Sequence, residues 1–155
     1  MNKKVTVFLL CSIITIAASA EQADETRADD GASKSTVYVY RHKELGSRNM
    51  HPSVYVDKIE VAQMDDGKFF IIKLEPGKHI VEVNKGHSGA EIDMKAGEEY
   101  YFRVSIKAGT WKGHGQIDFI QKEQGAFEIK KMQPLESKWI KDKSRATVEE
   151  DKKHR

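Results

Sequence analysis

Cysteine is almost absent from this chain: Cys11 is the only one in 155 residues. It sits in residues 5–16, an uncharged stretch that follows Lys3 and Lys4 and leads to Ala18-Ser19-Ala20 and then Glu21. A short basic start, an apolar middle and small residues before the cut form the pattern of a secretory leader, with cleavage expected between Ala20 and Glu21. The run is too short for a membrane span, which needs about 20 apolar residues. Bulky Leu10 before Cys11 argues against a lipid-modified cysteine. Removing the leader removes the thiol, which excludes disulfides and thiolate chemistry and leaves stability to packing. The expected location is periplasmic or secreted.

Charge of one sign is also missing. Lys and Arg number 26 against 24 Asp and Glu, and loss of Lys3 and Lys4 with the leader takes the formal +2 to zero. Such a chain has no general attraction to nucleic acid. The imbalance is local instead. Residues 21–34 are acidic and hold no apolar side chain larger than alanine, which predicts a flexible leader segment. Residues 137–155 are rich in lysine and arginine and predict a charged, disordered tail.

Between them, residues 35–136 carry the signature of a single domain. Thr36-Val37-Tyr38-Val39-Tyr40 is β-branched or aromatic throughout, and Ser53-Val54-Tyr55-Val56 repeats that character. Phe69-Phe70-Ile71-Ile72 reads as a strand buried on both faces. Tyr100, Phe102, Val104 and Ile106 alternate with Tyr101, Arg103 and Ser105, the clearest period-two pattern in the chain. Asp66-Gly67, Pro76-Gly77, Lys85-Gly86 and Ala96-Gly97 supply turns, the second with proline presetting φ and glycine accepting a positive φ. Residues 126–132 fit a short helix or an edge strand equally well. About seven short strands without long helical patterns predict an all-β fold, an antiparallel Ig-like sandwich, and exclude parallel nucleotide-binding architectures.

Catalytic and metal motifs are wanting. No His-x-His, His-Glu-x-x-His, Gly-x-Ser-x-Gly or Gly-Lys-Ser/Thr occurs. If Lys85-Gly86 turns a hairpin, Asn84 faces His87 and His79 lies near Ile92, so those two histidines do not converge. No catalytic residue, metal or cofactor is therefore assigned. The glycine-rich loop 107–116 gathers Trp111, Lys112 and His114, and loops on rigid sandwiches carry binding residues. Tyr38, Tyr40, Tyr55 and Tyr101 alternate with aliphatics and are expected on outer faces, where aromatics stack on sugars, anchor partners or simply pair across strands. Lys138, Trp139 and Lys141 could rest on an anionic membrane surface.

Four segments, Thr36-Val37-Tyr38-Val39-Tyr40-Arg41, Val54-Tyr55-Val56-Asp57, Leu74-Glu75-Pro76-Gly77-Lys78-His79 and Ala96-Gly97-Glu98-Glu99-Tyr100-Tyr101-Phe102-Arg103-Val104, resemble the domain of unknown function 2846 family of small exported bacterial proteins. The resemblance runs from about 35 to 132. The Pro76-Gly77 turn before an alternating strand is similar to PEGA-type β-sandwich modules of envelope proteins. Asp57-Lys58 departs from the glycine or asparagine usual at that turn, which leaves its type open. The resemblance implies a fold and no catalytic residues. The expectation is a non-catalytic module that binds a protein or polysaccharide of the envelope. The alternative is an exported hydrolase or metal-dependent enzyme built on the 107–116 loop and His114.

Overall fold

A computed structural model describes residues 33–107 and 113–148. The leader and most of the acidic segment lie outside the described residues, as do Trp111 and Lys112. No described helix is long and apolar enough to cross a membrane.

Ten strands form two sheets, and one helix covers the outside of the larger. The smaller sheet has the order β3 (Ile59–Gln63), β2 (Ser53–Val56), β5 (Gly77–Val83), β6 (Ser88–Met94), all antiparallel. The larger runs β10 (Ala146–Thr147), β4 (Lys68–Leu74), β1 (Ser35–Arg41), β7 (Glu99–Lys107), β8 (His114–Ile120), with β9 (Gln133–Pro134) also paired to β4. The all-β sandwich is as the strand pattern indicates, and most pairings are antiparallel. β1 and β7 depart from that rule and run parallel, Val37 opposite Tyr100 and Val39 opposite Phe102.

Alternation explains the core. Val37, Val39, Phe70, Ile72, Phe102 and Val104 point between the sheets, where they meet Val54, Val56, Val81 and Val83. The apolar run in β4 is buried on both faces because Phe69 and Ile71 enter a second core with Tyr38, Tyr40, Tyr101, Ile120 and Met132. That second core lies beneath α1 (Lys122–Ile129), so the ambiguous segment is helical in its first part. Three of the four tyrosines expected on outer faces are therefore buried: Tyr38 at 8% exposure, Tyr40 at 0% and Tyr101 at 4%. The helix takes the place of solvent, and only Tyr55 keeps partial exposure. Tyr38 and Tyr101 stack at 4.8 Å, with planes 9° apart. Gly125 lets the helix lie flat on them, since a Cβ there would fall 2.4 Å from Tyr101 Cβ.

Residues 137–148 correct the expectation of a solvated tail. β9 pairs with β4, a 3-10 turn (Ser137–Trp139) follows, Ile140 bridges to Ala62 of β3, and Ala146 returns to pair with Ile72. Leu135, Ile140 and Ala146 are buried in the main core. This strap closes the side of the sandwich where the β3 and β4 edges would otherwise stand open. The many bases of the segment obscured its few well-spaced apolar residues. Trp139 turns inward onto the core and stacks on His51 at 4.4 Å, while Lys138 and Lys141 stay at the surface.

The turn residues do what their chemistry allows. Pro76-Gly77 carries the chain from one sheet to the other, and Gly77 has φ 133°. The β5–β6 hairpin has the expected register, His79 opposite Ile92. Asp57 and Lys58 connect β2 to β3 with φ 51° and 68°, the two positive values of a type I′ turn, without a glycine.

Candidate functional site

One end of the sandwich gathers the β1–β2 loop (42–52), the β3–β4 connection, the β5–β6 turn and the approach to loop 108–112. The β1–β2 loop is shaped from inside. Arg41 continues the inward-facing series of Val37 and Val39 and is wholly buried. Its Nη1 donates to the Met50 carbonyl, and its Nη2 donates to the carbonyl and Oγ of Ser47, each at 2.7 Å. The Glu44 and Asp66 carboxylates lie 3.9 Å away. Ser47 Oγ in turn donates to Glu44 at 2.7 Å, and the Glu44 amide donates to Asp66 Oδ1 at 2.8 Å. A guanidinium buried in this way is costly unless its donors are met; here two loop carbonyls and the Ser47 hydroxyl take three of them, and Nε is buried without a partner among the described residues. At the loop tip Leu45 is 92% exposed.

Beside this loop is a cleft of about 220 Å³ lined by Met50, His51, Pro52, Asn84 and Ile106. Gly113 and Gly115 close-pack against its walls: a Cβ on Gly113 would meet Ile106 at 2.7 Å and one on Gly115 would meet Val83 at 2.3 Å. His51 lies 3.3 Å from Asp65 and stacks on Trp139, whose indole N–H is buried without a partner among the described residues. His114 opens β8 at the same end, exposed, with the His87 ring 5.7 Å away. No carboxylate among the described residues bonds it. Asp118 instead accepts from Gln116 at 2.7 Å.

Two further polar groupings escaped the sequence reading. Glu128 on α1 accepts from Tyr40 at 2.7 Å, His42 at 2.9 Å and Gln124 at 2.8 Å, with Arg103 at 3.6 Å. Burial opposes its charge, but these bonds outweigh it and hold the carboxyl at about 2. Burial and the bond to Glu128 push the Tyr40 phenol up. Glu128 is thus an ionised anchor at neutral pH, unsuited to proton transfer there. The second grouping lies at the opposite end. His79 Nε2 donates to the Glu75 carbonyl and Nδ1 faces Asp57 Oδ2, both at 2.8 Å, while the Ile80 amide donates to Asp57 Oδ1 at 3.1 Å. Both ring nitrogens face acceptors, which an imidazolium satisfies. Burial works against that charge, yet the bonds to Asp57 and Glu75 raise His79 above its ordinary value. Asp57 is lowered by the same contact against its own burial. No signal short of the fold itself joins Asp57 to His79. Among the described residues no cluster of three or more His, Cys, Asp or Glu could hold a metal.

The family described as a protein of unknown function, DUF2846, matches residues 31–116, more than half the chain. The chain belongs to that family. The matched span carries β1 through β7 and the start of β8, so this DUF2846 domain includes Arg41 and its loop, the cleft and the Asp57 turn. It stops short of 132, and α1 and the closing strap follow it. An uncharacterized protein of Haemophilus influenzae is 23% identical over 119 residues, covering 74% of this chain and 70% of that one. No solved structure matches.

Proposed function

We propose that this DUF2846 protein is an exported, non-catalytic module that binds a protein or glycan of the cell envelope through the loop end of its sandwich. The observation that carries the reading is Arg41. A fully buried arginine holds an exposed loop in one shape and leaves Leu45 in water at its tip. Stability alone does not call for that arrangement, since a buried charge replaced together with its partners by well-packed apolar residues often costs nothing. A rigid loop bearing an exposed apolar side chain beside a cleft suits recognition, because less order is lost on binding. The leader pattern of residues 1–20 and the resemblance of the Pro76-Gly77 corner to PEGA-type modules support an envelope setting.

A hydrolase or metal-dependent enzyme centred on His114 draws less support. Its ring has no bonded carboxylate among the described residues to orient it as a base.

The test is capture from solubilised envelope, using the full chain and its Leu45→Asp variant side by side. A protein or glycan recovered reproducibly by the first and lost with the second supports the reading. Equal recovery by both, or none by either, counts against it. Fractionation of cells expressing the protein, with mass spectrometry of its N-terminus, tests export: a mature chain beginning at Glu21 outside the cytoplasm is expected.

A further inference from the structure

Among the described residues are five histidines, and three have carboxylates for partners: His42 with Glu128, His51 with Asp65, His79 with Asp57. His87 and His114 differ. Neither makes a hydrogen bond or an ion pair with a described residue, and each has the other's ring as its neighbour, with centroids 5.7 Å apart and planes inclined by 26°. They come from separate hairpins, His87 from the β5–β6 turn and His114 from the first position of β8.

Their proximity is enforced by the backbone on both sides. Immediately after His114, Gly115 lies so close to β5 that a Cβ would be 2.3 Å from Val83 Cγ1 and 2.9 Å from Asn84 Nδ2. Only glycine allows β8 to pass the β5–β6 turn at that distance. Immediately after His87, Ser88 Oγ accepts from the Ile117 amide at 3.1 Å and donates to the Ile117 carbonyl at 3.4 Å. The two hairpins are latched at Ser88 and wedged at Gly115, with the two imidazoles side by side at the surface.

We propose that His87 and His114 form a two-imidazole site for a borderline divalent transition-metal ion of the Zn²⁺, Ni²⁺ or Cu²⁺ type. A cation about 2.0–2.1 Å from one nitrogen of each ring holds the ring centroids about 5–6 Å apart, and the observed separation falls in that interval. No third His, Cys, Asp or Glu joins them among the described residues, so water fills the remaining positions and the site is open. With no carboxylate joining the pair among the described residues, hard cations that need oxygen ligands are disfavoured, while Lys107, opposite His114 in the β7–β8 register, and Lys85 in the β5–β6 turn weaken the binding of any cation. Imidazole affinity is left as the selective interaction. This site lies at the same end of the sandwich as the Leu45 loop but uses none of that loop's side chains, so metal uptake and partner capture are read separately.

The experiment is a Zn²⁺ titration of the untagged full chain by calorimetry, followed by NMR of the imidazole nitrogens. Wild type is expected to take up one Zn²⁺ with the His87 and His114 resonances shifting together. His87→Ala and His114→Ala each weaken uptake by at least about tenfold, and the double variant loses little beyond either single one because both ligate one ion. His154→Ala leaves uptake unchanged. Both targeted rings are exposed, and a far-ultraviolet circular dichroism spectrum matching wild type shows that the fold is retained. No uptake by wild type, uptake unaffected by the double variant, or loss through only one of the two histidines overturns the proposal.

Discussion

Replacing Lys58 by glycine should stabilise this protein, and replacing its neighbour Asp57 by glycine should destabilise it. Both residues occupy left-handed backbone, φ 68° and 51°. Each L-residue held there costs about 1–2 kcal/mol, and glycine removes that strain while adding about 0.5–1 kcal/mol of unfolded-chain entropy. The net backbone gain is about 0.5–1 kcal/mol at either site. The Lys58 side chain is exposed and makes no bond that the substitution would break, so the gain should appear in full. Asp57 gives up its bonds to His79 and to the Ile80 amide. Hydrogen bonds to charged groups contribute about 1.5–3 kcal/mol. With the Asp57 side chain 39% exposed, screening reduces that to about 1–2 kcal/mol. Lys58→Gly should therefore raise the melting temperature by about 3–6 °C, and Asp57→Gly should lower the urea midpoint at unchanged m-value. The deficit of Asp57→Gly also depends on pH. His79 has a raised folded value, so its contribution is complete below its ordinary 6.5 and fades as pH rises through the folded value. Asp57 has a lowered folded value, so its contribution is present above its ordinary 3.8 and fades as pH falls through the folded one. The deficit should be greatest between about pH 4 and 6.5. An Asp57→Gly protein as stable as Lys58→Gly, or a deficit unchanged from pH 5 to pH 9, would refute the reasoning.

Other outcomes follow from the same geometry. Glu128→Gln should cost about 2–3 kcal/mol at pH 7. Because the Glu128 carboxyl is lowered from 4.5 to about 2, wild type should lose that margin as pH falls between those values, and chemical denaturation at pH 7 and pH 2.5 should show the two proteins converging. Gly125→Ala forces a Cβ to within 2.4 Å of the Tyr101 ring and should destabilise by about 1–3 kcal/mol, with a change in near-ultraviolet circular dichroism as the Tyr38–Tyr101 stack is displaced. Arg41→Met removes the donors that hold Met50 and Ser47 and leaves the 7% exposed Asp66 without that counter-charge. A loss of about 3–5 kcal/mol is expected by urea unfolding, and amide exchange across residues 42–50 should quicken.

Much of the sandwich is legible because a strand with one wet and one dry face keeps period two, as on β6, and a strand with two dry faces shows an unbroken apolar run, as at Phe69-Phe70-Ile71-Ile72. The glycine-bearing turns are readable for the same local reason. What resists reading depends on elements meeting far along the chain. The tyrosines of β1 look outward until α1 covers them, and α1 gives little warning because its buried contact is Gly125 rather than a large apolar stripe. The strap of residues 133–147 is concealed by its lysines, and only Leu135, Ile140 and Ala146 mark it. The His87–His114 pairing needs the edges of β6 and β8 to be adjacent, which no spacing rule within one hairpin conveys. Loop 107–116 stands out in sequence for its composition, whereas nothing in the sequence sets Arg41 apart, although it organises the β1–β2 loop.

The parallel pairing of β1 with β7 also bears on the order of events in folding. The earliest strand to emerge during synthesis is the innermost of its sheet, with β4 on one side and β7 on the other. Until residue 107 is available, a nascent chain carries Tyr38, Val39 and Tyr40 with one hydrogen-bonding edge vacant, so assembly must await distant partners and proceed slowly. The export proposed above would gain time from that arrangement, since a chain that crosses a membrane through a narrow channel must stay unfolded until it has passed. A truncation before β7 should yield a sticky fragment rather than a smaller domain.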